Sequence, residues 1–316
     1  MSAETTLRDR LALVPSERAR DLVRDAYDLH VHLSPDVMPR RIDDVSLARR
    51  FAELGLAGFV LKSHYVPTAE RAAVVREIVP GVDVLGAITL NAAVGGLNAF
   101  AVEIAAREGA RVVWLPTVDA PGETAGRETP EPGAKLPFWA RLQHELREEG
   151  VVSPPVSVLD QRGELLEETA AVLDAVARHG LVLATGHLSR DEIFAVVDAA
   201  FERGVRDVVI THPEFPTQNL SVDDQRALAE RGALLERCFV TPHSGKVGWE
   251  TFLGNIRAVG CEHSVLSTDL GQPANPPVED GLALLADRLL EAGFAEDEVR
   301  TMAVANTRRL ARASAS

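Results

Sequence analysis

With 316 residues the chain has the length of one large α/β domain, and 46% hydrophobic residues with only 5% aromatic ones predict a core of Val, Leu, Ile and Ala, as in a helix-covered parallel sheet. Thirty-three basic against 47 acidic residues give a net charge of −14, which argues against nucleic acid or an anionic membrane as partner and leaves a small-molecule substrate. Two cysteines, Cys238 and Cys261, a polar start without an apolar signal core and no run of membrane-spanning length predict a soluble protein of the reducing cytoplasm.

In chain order, residues 4–26 read as a helix with Leu7, Leu11, Val14, Leu22 and Val23 on one face, interrupted by Pro15 and suited to close the bottom of a barrel. Asp28-Leu-His-Val-His-Leu33 follows as a strand. His30 and His32, two apart, point to one face and form a metal pincer, with Leu29 and Val31 packing on the other face. A polar loop then carries Arg40 and Arg41. Further strands are predicted at 58–62, 84–90, 111–115, 181–186, 207–211, 233–236 and 264–268. Helices are predicted at 44–54, 68–78, 97–108, 164–179, 190–203, 221–231, 247–259, 278–292 and 296–313, several of them ending at Gly. Eight strands alternating with helices predict a (β/α)8 TIM barrel spanning residues 1–316 as one domain. One long excursion, about 118–155, follows strand 4 and holds Phe138 and Trp139; its length and apolar tip predict a lid.

Residues capable of chemistry fall at the carboxyl ends of these strands, where a parallel barrel builds its active site. They are His30 and His32 (strand 1), Lys62 and His64 (strand 2), Asn91 (strand 3), His187 (strand 5), His212 (strand 6), Glu236 (strand 7) and Asp269 (strand 8). Six of the nine histidines lie at such ends when His243, beyond strand 7, is included. Arg40 and Arg41, with Lys62, are candidates to clamp a carboxylate or phosphate, because guanidinium presents a planar donor fork. Asn91 is a candidate hydrogen-bond donor to substrate.

The order His-x-His, ATGHLS (184–189), ITHPEF (210–215) and STDLGQ (267–272) resembles the amidohydrolase superfamily. With KSHYVPT, VGGLN and NPPVEDG, it looks most like an uncharacterised amidohydrolase-like family of bacteria and archaea. The resemblance implies that His30, His32, His187, His212 and Asp269 surround one or two divalent metals, and that Asp269 takes a proton from the attacking water. Such ligands suit Zn²⁺ best, with Mn²⁺, Fe²⁺ or Ni²⁺ fitting the same shell. By the same analogy a homo-oligomer is expected.

The chain departs from the superfamily pattern at strand 4, which ends without the usual bridging Lys or Glu. Lys62, if carbamylated, and Glu236 are alternative metal ligands. Lys62 reads equally as a plain cation holding a substrate anion or pairing with Asp269, and Glu236 as a carboxylate tied to Arg237 or to a loop. The expected reaction is hydrolysis of an amide, lactone or other ester bond of a small anionic substrate, with His212 or His64 helping to polarise the carbonyl. The alternative is a metal-dependent decarboxylase of the same superfamily; a barrel that holds only a structural ion fits less well, since a structural site is closed by its four ligands.

Overall fold

The structure is a computed structural model that describes residues 13–124 and 138–312. Eight strands, β1 (Tyr27–Val31), β2 (Gly58–Leu61), β3 (Asp83–Thr89), β4 (Ala110–Trp114), β5 (Val182–Ala184), β6 (Asp207–Ile210), β7 (Leu234–Cys238) and β8 (Ser264–Ser267), pair in parallel in sequence order. All eight predicted strands are present, and helices between them cover the sheet, as expected of a (β/α)8 barrel. Local chemistry sets the helix ends. Asp43 caps helix Asp44–Leu54 by accepting from Ser46 N–H, and Gly55, at φ 71°, turns the chain out of it. Ser189 and Glu192 form a capping box that starts helix Arg190–Glu202 directly after His187.

The sheet closes between β1 and β8 through two backbone bonds, Asp269 N–H to the His30 carbonyl and His32 N–H to the Leu270 carbonyl, both 2.8 Å. Beside them the buried Asp28 carboxylate accepts from Thr268 N–H at 3.0 Å and Thr268 Oγ1 at 2.6 Å. Burial pushes the Asp28 carboxyl up to about 7, against the hydrogen bonds from Thr268 and His30. The same seam therefore fixes the backbones of three predicted site residues relative to one another.

Simple alternation fails in β1. A register shift between Asp28 and Val31 places an extra residue there. Leu29 consequently faces the barrel interior with Val60, Val112, Val182 and Val265, while Val31 packs outward on the covering helices. The expectation that Leu29 and Val31 share a face is thus corrected, and the bulge is what allows His30 to turn inward just above Leu29.

Of the helix expected over 4–26, the described residues form Glu17–Leu22, which starts after Pro15, where Ser16 caps it by accepting from Ala19 N–H. It lies on the flank, where Ser16 bonds Asp287 and Arg20 bonds Asp280 beside helix Gly281–Glu291. The bottom is closed instead by the C-terminal helix Asn306–Ala311, whose Leu310 and Ala311 enter the interior cluster. The single helix expected over 296–313 is divided by a π-helical turn, Thr301–Ala305. Residues 1–12, holding Leu7 and Leu11, lie outside the described residues, as do 125–137 and the side chains of Phe138 and Trp139, the apolar tip of the expected lid. No described helix is long and apolar enough to cross a membrane.

Candidate active site

Five imidazoles meet above the interior cluster, each delivered by the carboxyl end of a strand. Neighbouring ring centroids are 5.3 Å apart for His30 and His32, 4.9 Å for His32 and His64, 6.4 Å for His64 and His187, 5.0 Å for His187 and His212, and 6.1 Å for His212 and His30. They form a closed ring. Asp269 joins it from β8, with Oδ1 at 3.2 Å from His30 Nε2 and 3.1 Å from His32 Nε2. His212 and Asp269 both hold left-handed backbones, φ 27° and 52°, strained for non-glycine residues and kept there by the surrounding loops.

The electrostatics favour neutral imidazoles. Burial drives His32, His64 and His212 well below the ordinary histidine range, assisted by the charge of Arg40 at His32 and of Lys62 at His64 and His212, and it lowers His187 as well. Neutral histidine is the metal-binding form. Desolvation works to raise Asp269, but His30, His32 and Lys62 outweigh it and hold the carboxyl well below the usual range. Glu236 lies 3.2 Å from His30 Nδ1. In the tautomer with its proton on Nδ1, His30 donates to Glu236 and turns the Nε2 lone pair toward the ring.

These donors fit a divalent ion. His30, His32 and Asp269 offer three ligand atoms within 4.8 Å of one another, an N₂O set suited to Zn²⁺. A second group, His30, Glu236 and Cys238, lies behind the first and shares its histidine. His187 and His212 complete the ring from the opposite side, and His212 Nδ1 is buried with no hydrogen-bond partner among the described residues. Lys62 Nζ stands 2.9 Å from His30 Nε2 and over the Trp114 ring at 4.9 Å. Its amine and a metal ion therefore compete for one lone pair.

Above the ring opens a cavity of about 500 Å³, walled partly by Met38, Pro39, Phe215 and Val240. Arg40 lines it, with its Nε 2.8 Å from Asp36 and one terminal nitrogen 3.4 Å from His32 Nδ1. Arg41 does not share this placement: it is exposed and donates to the carbonyls of Pro273 and Asn275, bracing the loop after β8. Asn91 is likewise turned from the cavity. Its side chain bonds the His64 carbonyl at 3.0 Å, Thr117 Oγ1 at 2.7 Å and Thr117 N–H at 2.8 Å, while Thr117 Oγ1 pairs with His64 Nδ1. It positions His64 and does not face a ligand. Glu236 faces the barrel interior beneath His30, apart from Arg237, which pairs with Glu214 and Gln225.

Sequence reasoning missed Glu123, on the short helix Pro121–Thr124, which is 1% exposed and approaches His187 Nδ1 to 3.1 Å. Strand 4 thus does send a carboxylate to the ring, nine residues beyond its end at Trp114. An acidic residue in the first turn after a Pro in that loop was the available signal. The Asp36–Arg40 pair was legible only as an i,i+4 spacing in a loop.

A family profile matches residues 25–236, from just before β1 into β7, and so takes in every site residue expected from the sequence except Asp269. The chain belongs to the family of unknown function DUF6282. No protein of curated function matches it by sequence. Solved structures similar to this DUF6282 chain include an amidohydrolase from Pseudomonas aeruginosa, at 13% identity and TM-score 0.58 over 95% of this chain and 99% of that one. The probable dipeptidase PvdM from the same organism gives 11% identity and TM-score 0.60, over 96% and 98%. A putative 2-pyrone-4,6-dicarboxylic acid hydrolase from Pseudomonas putida gives 16% and 0.55, over 91% and 97%. At such identities the likeness is one of fold, the (β/α)8 barrel that the alternation of strands and helices led one to expect.

Proposed function

We propose that the chain is a metal-dependent hydrolase acting on an amide, lactone or other ester bond of a small anionic substrate, with zinc as the preferred ion. The observation that carries this reading is the buried ring of imidazoles closed by Asp269 at the floor of an open cavity. A structural ion is enclosed by its ligands, whereas this donor set faces space for a substrate. His30, His32 and Asp269, with His187 and His212 across the ring, would hold the ion. Bound there, it would acidify water and act as a Lewis acid toward a carbonyl. Asp269, ionised at neutral pH, accepts the proton of the attacking water at a carboxylate oxygen and returns it to the leaving group. Arg40 draws an anionic group of the substrate toward the ring, and Glu236 keeps the His30 proton on Nδ1. The apolar walls exclude bulk water and so strengthen these interactions.

Metal content of protein purified without chelators, followed by a panel of lactones, N-acyl amino acids and cyclic amides, tests the proposal. We expect Asp269→Asn to retain most of its metal and to lose on the order of a thousandfold in kcat, as befits an acid–base group. Full activity of that variant on an identified substrate would remove Asp269 from proton transfer. The approach of an amine, Lys62 Nζ, to the ring also supports a second reading, a single-metal decarboxylase, which release of carbon dioxide from an enoic or aromatic acid would reveal.

A further inference from the structure

Two histidines of the ring have a carboxylate behind Nδ1: Glu236 lies 3.2 Å from His30 and Glu123 lies 3.1 Å from His187. A carboxylate, once ionised, only accepts hydrogen bonds. His64 is backed differently, by the hydroxyl of Thr117, whose Oγ1 lies 2.9 Å from Nδ1. A hydroxyl both donates and accepts, so the direction of this bond follows from its other partner.

That partner is Asn91. Its Oδ1 lies 2.8 Å from the backbone N–H of Thr117, a group that can only donate, and this fixes which end of the amide is oxygen. Nδ2 then places one hydrogen on the His64 carbonyl, at 3.0 Å, and the other on Thr117 Oγ1, at 2.7 Å. Oγ1 accepts from Asn91, so among the described residues its own hydrogen has one destination, His64 Nδ1. Thr117 and Asn91 are both 0% exposed. A proton on Nδ1, in neutral or cationic His64 alike, would strand the hydroxyl hydrogen in a dry site, a cost that native structures rarely bear. Nδ1 therefore accepts, and the one imidazole proton of His64 is on Nε2. No described residue bonds that nitrogen, and His64 lines the cavity. Its ring centroid lies 4.9 Å from that of His32 and 6.4 Å from that of His187, between the two sides of the ring.

We infer that His64 is not a metal ligand but a catalytic hydrogen-bond donor, its Nε2–H serving the oxygen of the scissile carbonyl, and that Thr117 and Asn91 are the positioning residues that set this tautomer. A nitrogen that keeps its proton has no lone pair for an ion, and the lone pair on Nδ1 is taken by Thr117. The inference rests on the hydrolase reading for the reaction itself. As water adds to the carbonyl carbon, a C–O bond forms, the π pair moves onto the carbonyl oxygen, and the resulting oxyanion accepts from Nε2–H; no proton leaves His64. Collapse restores the C=O bond and expels the leaving group, which takes its proton from Asp269. A donor fixed in place beforehand stabilises charge that develops only on the way to the transition state.

Nitrogen-15 NMR of the full-length chain labelled at the histidine ring nitrogens, zinc-loaded and chelator-treated, reads the tautomer without any substrate; the His64 signals are those missing from His64→Gln. We expect the proton on Nε2 in both states. A proton on Nδ1, or zinc in place of the proton on Nε2, overturns the inference. Thr117→Val keeps the shape of the side chain and loses the hydroxyl, whereas Thr117→Ser keeps the hydroxyl and loses a methyl group. Only Thr117→Val should let the proton move to Nδ1, and on an ester or amide that the parent chain hydrolyses its kcat should lie about tenfold or more below that of Thr117→Ser, with KM little changed. A packing role for Thr117 predicts the reverse order, and that result also overturns the inference. His64→Gln retains an N–H donor that His64→Phe lacks. Both should keep the metal content of the parent, and the Gln variant should be about tenfold or more faster; loss of zinc from both, or equal rates, counts against the donor role. Loss of the hydrolase reading appears as an Nε2-protonated His64 in a chain that hydrolyses none of the panel, whereas loss of this inference appears as an active hydrolase with its His64 proton on Nδ1.

Discussion

The imidazole of His30 is held from both nitrogens, by Glu236 beneath Nδ1 and by Lys62 and Asp269 around Nε2. That arrangement leads to two predictions at the level of single side chains. Glu236→Gln removes the charge that keeps the proton on Nδ1, so zinc affinity measured by competition with a chromophoric chelator should fall about 10–100-fold, with little loss of fold. An unchanged affinity would mean that Glu236 merely fills the barrel. For Lys62, burial lowers the amine pKa, with Asp269 and Glu236 opposing that shift. Its position against the Nε2 lone pair predicts that Lys62→Met binds the first metal at least about tenfold more tightly, because a nearby cation is removed. Weaker binding would instead give Lys62 the role of a carbamylated ligand. Of the residues named from sequence, His30, His32, His64, His187, His212, Lys62 and Asp269 are brought together around the ring. Arg41 and Asn91 went elsewhere because their hydrogen-bonding capacity is taken up by nearby loop carbonyls and by Thr117, partners that only the folded chain supplies.

At the level of elements, strand ends and the loops that follow them decide the geometry. Gly271 follows Asp269 at φ 134°, and a Cβ there would sit 1.7 Å from the His32 carbonyl oxygen. Two loops, from β1 and β8, press together at that point to hold His32 and Asp269 in register. Gly271→Ala is expected to cost about 3 kcal/mol or more and to lower Tm and metal content together. If Tm were unchanged, the close approach of these loops would not be needed for the site. Helix boundaries were read from sequence to within a few residues in most cases, since caps and glycines act locally. The bulge in β1 was not legible: alternation specifies faces only while the register is regular, and the register shift is a property of pairing with β2.

For the whole molecule, burying several ionisable groups makes stability depend on pH with a definite sign. The unfolded chain protonates its histidines below about pH 6.5, whereas burial keeps His32, His64, His187 and His212 neutral in the folded state. Unfolding therefore takes up protons in this range, and stability falls as pH decreases. Asp28 acts in the opposite sense. Raised to about 7, its contribution is complete below the ordinary carboxylate range and is lost as pH rises through about 7. Four imidazoles outweigh one carboxyl. Chelator-treated protein should thus show a lower Tm at about pH 5 than at about pH 7, and Asp28→Asn should steepen the decline. A Tm that rises on acidification would show that these histidines are charged in the native state.

Sequence by itself determined the alternation of eight strands with helices, the placement of histidines at strand ends and the chemistry those side chains can perform. Period, caps and residue type are short-range properties, and each is written within a few residues. Tertiary structure alone decided which of these side chains share one ring, that Glu123 reaches His187 from the loop after β4, and that Leu310 rather than the N-terminal helix closes the base. Such relations join residues far apart in the chain, and they exist only once the seam between β1 and β8 has closed the sheet and burial has fixed the charge on each group.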